Sequence, residues 1–163
     1  MDRSDALVAT VTVARERLRL VRDADASRRT SPSAWSAKEI IGHLIDSASN
    51  NHQRFVRALW QDTLLFPGSE REDWVAAQGY QITDWHELLD LWALYNRHIA
   101  RVMERNPDAV RLRVHTVHNL HQRAWQIVPV DQPTTLDYFM RDDVGHLHHH
   151  LRQIDALGLI AHG

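Results

Sequence analysis

Apolar residues recur along most of this chain at spacings of three and four, the period of a helix lying against a core. Leu7, Val11, Ala14, Leu18 and Val21 form one such stripe and predict a helix over about 4–23. After the break SRRTSPSAW, Ser36 followed by Glu39 has the spacing of a capping box, in which hydroxyl and carboxylate each satisfy a free backbone N–H. The helix it opens runs through Ile40, Ile41, Leu44, Ile45, Ala48, Phe55, Val56 and Leu59 to about Trp60. Phe66-Pro67-Gly68 is a turn, and Ser69 with Glu72 suggests a second capping box starting a short helix over 70–77. Thr83-Asp84 with Glu87 starts the third long helix, which continues through Leu88, Leu91, Trp92, Tyr95, Ile99 and Val102 until Asn106-Pro107 stops it.

Between Asp108 and Gln132 the pattern changes. Val110, Leu112 and Val114 alternate with polar residues and AWQIVPV is rich in strand formers, which predicts a small hairpin or extended excursion. Pro133-Thr134-Thr135 then opens a last helix that ends near Leu157, before Gly158. The expected fold is therefore all-α: a four-helix bundle with a short extra helix and the excursion between helices three and four, one domain over 1–163.

Composition narrows the chemistry. A chain of 163 residues suits one domain with a real core. Nineteen Lys+Arg against 21 Asp+Glu give a net charge of −2 with no basic run, which argues against a nucleic-acid partner. No apolar stretch approaches the ~20 residues that span a bilayer, and MDRSDALVAT lacks the basic-then-apolar order of a secretion signal. The expectation is a cytoplasmic protein with no membrane partner. Zero cysteines remove disulfides, thiolate nucleophiles and thiolate metal sites together, so any metal must be held by His and carboxylate. Twelve histidines are the anomaly. The HHH at 148–150 is no expression tag, because LRQIDALGLIAHG follows it.

On a wheel of about 100° per residue, Leu136, Phe139, Met140, Val144, Leu147, Leu151, Ile154 and Leu157 define the inward arc of the last helix. Asp143 and His150 fall inside that arc and His146 at its edge, whereas His148 and His149 fall away from its centre. Polar groups placed where a bundle should carry Leu need compensation, and a divalent cation supplies it. Residues at i and i+4 lie one above the other, so His146 and His150 can reach one ion. An HxxxH pair is weak by itself in a chain with this many histidines. On the second long helix His43, Ser47, Asn50 and Arg54 form a polar line bordering the apolar face. The bland alternative is a solvated edge with one satisfied histidine.

Two stretches resemble a known family. WSAKEIIGHLIDSASNNHQRF (35–55) is similar to the ligand-bearing second helix of DinB/YfiT-like proteins: Trp35-Ser36, then Gly42-His43-Leu44, Asp46-Ser47, Asn50 or Asn51, and Arg54-Phe55. LDYFMRDDVGHLHHHLRQI (136–154) resembles the family's final helix, with His146 and His150 in register before Gln153-Ile154. The resemblance implies a four-helix bundle binding one divalent metal ion, zinc or nickel, through His43, His146 and His150. The extra His148 and His149 depart from the pattern and leave His149 as an alternative ligand. The resemblance also implies a small-molecule substrate, homodimer formation and an enzyme that activates a low-molecular-weight thiol as co-substrate for S-transfer or isomerisation. The alternatives are a metal-dependent hydrolase using hydroxide generated at the ion and a non-catalytic metal-binding or sensing bundle. Three neutral imidazoles suit the enzymes, because they leave the ion its full charge and open positions.

Asp143, one turn before His146, and Asp46, one turn after His43, are candidates to orient an imidazole or to move a proton in catalysis. Arg54 and Asn50 are candidates for substrate binding. Arg54 could meet an anionic thiol or a substrate carboxylate, although a salt bridge to a neighbouring helix is the simpler expectation. His115, His118 and His121 sit in the segment read as extended, where their spacing does not converge on a second metal. His98 and Trp92 read as core or interface residues, His52 and His86 as exposed, and the six Trp as core filling and pocket lining.

Overall fold

Each predicted capping side chain of a long helix takes up a free amide in the computed structural model, which describes residues 3–160. Helix α1 (Arg3–Leu18) is followed by a single turn, α2 (Asp23–Ala26), and by α3 (Ala37–Arg57). Ser36 and Glu39 form the reciprocal box that starts α3: the Glu39 amide donates to the Ser36 hydroxyl at 3.3 Å and the Ser36 amide to the Glu39 carboxylate at 2.9 Å. Helix α4 (Arg71–Ala77) and a 3-10 turn (Tyr80–Ile82) precede α5 (Trp85–Arg105), whose first turn donates from the Glu87 amide to the Asp84 carboxylate. Helix α8 (Leu136–Ala156) starts on Thr135, which accepts from the Tyr138 amide, and the chain leaves it through Gly158 at φ +64°.

The first helix is shorter than its stripe. It ends at Leu18, whose carbonyl accepts the indole N–H of Trp85 at 2.9 Å, and Asp23 beyond it accepts the Trp85 amide and the Lys38 ammonium. The Leu18 carbonyl thus bonds the Trp85 indole and the Val21 amide and does not continue the ladder of a longer helix. The box expected from Ser69 and Glu72 does not form either: Glu70 holds the N-cap position of α4 with no side-chain bond, and Glu72 pairs with Arg71.

The four long helices pack as a ring in the order α1, α5, α3, α8. The first two long helices of the sequence are thus diagonal and not adjacent, and α3 becomes the neighbour of α8. The chain from 19 to 36 makes this crossing. Leu7, Val11, Ile41, Phe55, Leu89, Trp92, Met103, Phe139 and Ile154 fill the space between the helices. Among the described residues no helix is long and apolar enough to cross a membrane.

The excursion between α5 and α8 is mostly not extended. Two-residue strands β1 (Val114–His115) and β2 (Thr134–Thr135) pair antiparallel, while Val110 lies in the turn α6 (Asp108–Arg111) and another turn, α7 (Leu120–Arg123), follows. AWQIVPV forms no strand, because the amides of Trp125 and Gln126 are taken by the Asp142 carboxylate, both at 2.7 Å. The tryptophans divide three ways: Trp85 and Trp92 are core, and Trp35, Trp74 and Trp125 line cavities. Trp60, expected to fill core or pocket, is 84 % exposed.

Candidate metal centre

The packing of α3 against α8 brings His43, His146 and His150 together. Nε2 of His146 stands 3.3 Å from Nε2 of His43 and 2.9 Å from Nε2 of His150. Four ligand atoms placed about 2.0–2.1 Å from a tetrahedral ion stand about 3.3–3.4 Å apart, so the spacing of these nitrogens fits one ion. The tautomer of His150 fits as well. Its Nδ1–H donates to Oε1 of Gln153 at 2.7 Å, which leaves Nε2 with a bare lone pair facing the other two rings. Imidazole nitrogens that converge in a buried place need a shared proton or a cation between them, and a cation satisfies all three at once.

Burial is the first cause of depressed basicity in all three rings. His43 falls to about 2 and His146 to about 3, with His150 and Arg71 adding repulsion to both. His150 falls to about 4, held up slightly by its bond to Gln153. The triad is therefore neutral at physiological pH, the form in which imidazole ligates.

His43 and His146 form one end of a cavity of about 290 Å³. Asp46, Ser47, Asn50, Asn51 and Arg54 line it from α3, Asp142 and Asp143 from α8, and Arg123 and Trp125 from the excursion. Trp125 closes in because Gly145 carries no side chain: a Cβ there would stand 3.0 Å from the indole. His150 and Trp35 line a second cavity of about 380 Å³, and Arg71 lies in the wall of both. Its guanidinium sits 5.4 Å over the Trp35 ring, and Trp35 in turn packs on His43.

The predicted carboxylates reach the cavity, but neither holds an imidazole. Asp143 accepts from the amide of Asn51 at 2.6 Å, and its Oδ2 is buried without a partner. Burial raises its pKa to about 7; the Asn51 bond opposes that rise and Asp142 reinforces it. Asp46 is gripped at Oδ1 by the Tyr80 hydroxyl and the Gln78 amide, both at 2.7 Å, and its Oδ2 is likewise unpartnered. Burial pushes Asp46 upward too, against those two bonds. The orienting partner within the triad is Gln153, which sequence reasoning noted only as a motif residue. Its position three residues after His150 places it on the same helix face and is the signal that could have assigned it.

Among the described residues Arg54 makes no salt bridge to a neighbouring helix. It donates to Oδ1 of Asn51 at 2.9 Å and to the Pro67 carbonyl at 3.2 Å, over the Phe139 ring. Asn50 lines the cavity and bonds back to the Asp46 carbonyl. His149 packs edge-on to the His150 ring, with centroids 5.1 Å apart, but is not part of the converging set: its ring also lies against Trp125 and meets the Gln153 amide at 3.2 Å. His118 bonds at both nitrogens, to the Gln132 carbonyl and the Leu120 amide, and His115 to the Asp62 carbonyl. His52, expected exposed, is half-buried against Tyr95 and His98.

No family model matches the sequence, and no curated protein matches it. A solved structure, YfiT from Bacillus subtilis, has the same fold: TM-score 0.77, 18 % sequence identity, covering 96 % of this chain and 83 % of that one. YfiT is described as a probable metal-dependent hydrolase with an unusual four-helix bundle topology. The YfiT-like fold expected from the sequence is thus the observed one.

Proposed function

We propose that this protein is an enzyme using one divalent ion, zinc or nickel, held by His43, His146 and His150, to join a low-molecular-weight thiol to a small electrophile. The observation that carries this reading is the position of the triad between two cavities, one bordered by His43 and His146 and the other by His150. Transfer needs two organic molecules near one centre, whereas hydrolysis needs one and water. When bound, the ion supplies the positive charge that lowers the pKa of a thiol or of water toward 7.

The rest falls to the chain's own residues. No cysteine is present, so sulfur must arrive with a substrate. The neutral imidazoles leave the charge of the ion undiminished. Asp143, near neutrality and with its buried Oδ2 unpartnered at the cavity wall, can take up or return a proton. Gln153 fixes the His150 ring, and Trp35 and Trp125 supply apolar surface to the two cavities.

That same Asp143 favours a second reading, hydrolysis, in which it would accept a proton from water; the description of YfiT agrees with it. Elemental analysis of purified protein should find one ion per chain. The metal-loaded protein is then incubated with cysteine and chlorodinitrobenzene, and separately with p-nitrophenyl acetate alone. Thiol loss that vanishes in His43→Ala supports transfer. Ester cleavage without thiol consumption selects hydrolysis, and stoichiometric metal with neither activity leaves a binding or sensing module.

A further inference from the structure

We infer that the 290 Å³ cavity takes a substrate bearing an anionic oxygen group, carboxylate or phosphate, and that Arg54 and Arg123 clamp that group away from the histidines. The inference rests on the reading of this cavity as a substrate site and adds the class of molecule.

Arg54 is only 9 % exposed, yet among the described residues no carboxylate comes within hydrogen-bond distance of its guanidinium. Its partners are a neutral amide and a neutral carbonyl, and its Nε is buried with no partner. Arg123 is half-buried; its bond goes to the neutral Gln122, and its Nε is buried and unpartnered. Two guanidiniums line one cavity and repel each other, with burial and Arg123 together lowering the Arg54 pKa to about 10. A buried cation such as Arg54 is normally compensated by an anion, and the described residues supply none at bonding distance.

The backbone makes room for this arrangement. A Cβ on Gly68 would stand 2.1 Å from Nη1 of Arg123, so the guanidinium occupies space that any other residue would fill. None of the cavity's three carboxylates bonds to the pair. Asp142 accepts two backbone amides, Asp46 the Tyr80 hydroxyl and the Gln78 amide, and Asn51 stands between Arg54 and Asp143, accepting from the first and donating to the second. An anion bridging the two guanidiniums would gain charge-assisted bonds, with the fork geometry that suits carboxylate and phosphate oxygens.

The test measures binding of acetate and of inorganic phosphate to the full chain by calorimetry, with metal loaded and with metal removed by a chelator; acetamide serves as the neutral control. Either anion is expected to bind in both states while acetamide does not, the tighter of the two naming the group. Arg123→Gln should weaken that binding by about tenfold or more. Gly68→Ala, which keeps every charge but displaces the Arg123 guanidinium, should weaken it similarly with an unchanged circular dichroism spectrum. Anion binding that disappears with the metal and ignores both variants would place the anion at the ion, overturning the clamp while leaving the metal centre intact. Binding that survives in a protein unable to take up metal would overturn the metal reading and leave the clamp.

Discussion

The ring of Tyr80 lies against the bare Cα of Gly42, so close that a Cβ there would stand 2.1 Å from its Cδ2. Gly42 precedes a triad histidine, and the hydroxyl of Tyr80 holds Asp46 at the cavity wall. One missing side chain therefore sets both the packing of the 3-10 turn on α3 and the position of a cavity carboxylate.

Gly42→Ala should destabilise the fold by about 1–3 kcal/mol, the usual cost of overpacking a filled site. In a Tyr80→Ala background the same change should turn neutral or favourable, since Ala is the better helix former by about 1 kcal/mol. Urea unfolding of the four proteins in the cycle measures the reversal; a cost that persists without the ring would mean that the glycine serves something other than Tyr80.

Replacing Gln153 by Leu removes the acceptor that keeps the proton of His150 on Nδ1. Metal affinity should drop about 10–100-fold with the fold intact, as for other partners that orient ligating histidines. Gln153→Glu keeps an acceptor and should restore most of the affinity. Competition against a coloured chelator reads all three.

The stability of metal-stripped protein should depend on pH in two opposed ways. In the unfolded chain the three imidazoles titrate near 6.5, and in the fold only at about 2, 3 and 4. Between those limits the unfolded chain binds more protons, so stability is lost as pH falls from about 6.5, with all three rings contributing down to about 4 and His43 and His146 below it. Asp143 acts with the other sign. Its folded pKa of about 7 exceeds the ordinary value of about 3.9, so its contribution is lost as pH rises through that window. The imidazoles thus give a rise toward pH 6.5, and Asp143, with Asp46 and Asp142 shifted in the same upward direction by burial, opposes it and gives a decline toward 7. Asp143→Asn should reduce the decline and keep the acid limb, as followed by denaturant midpoints across pH 4–8.

Much of this was legible in the sequence because it depends on local rules. The Ser36/Glu39 box, the Asp84 cap and the stop at Asn106-Pro107 are settled within one helical turn, and they appear where the residues place them. The inward arc of the last helix already carried Asp143, His146 and His150, since a helix fixes which residues share a face. What failed locally failed through distant partners: α1 stops short because Trp85 takes the Leu18 carbonyl, and AWQIVPV is not a strand because Asp142 takes its amides.

The sequence by itself determined the helices, their faces and the histidines able to ligate, because helical period and side-chain chemistry are properties of short stretches. Only the tertiary structure decided that α3 lies beside α8, so that an imidazole of one meets two of the other. It also decided that the Asp46 and Asp143 carboxylates turn to Tyr80, Gln78 and Asn51 instead of to an imidazole, and that Arg54 and Arg123 line a shared cavity. Those facts follow from which helices are neighbours in the ring and from where the excursion folds against them. Long connections permit several such orders, and the burial of all four apolar stripes at once selects one.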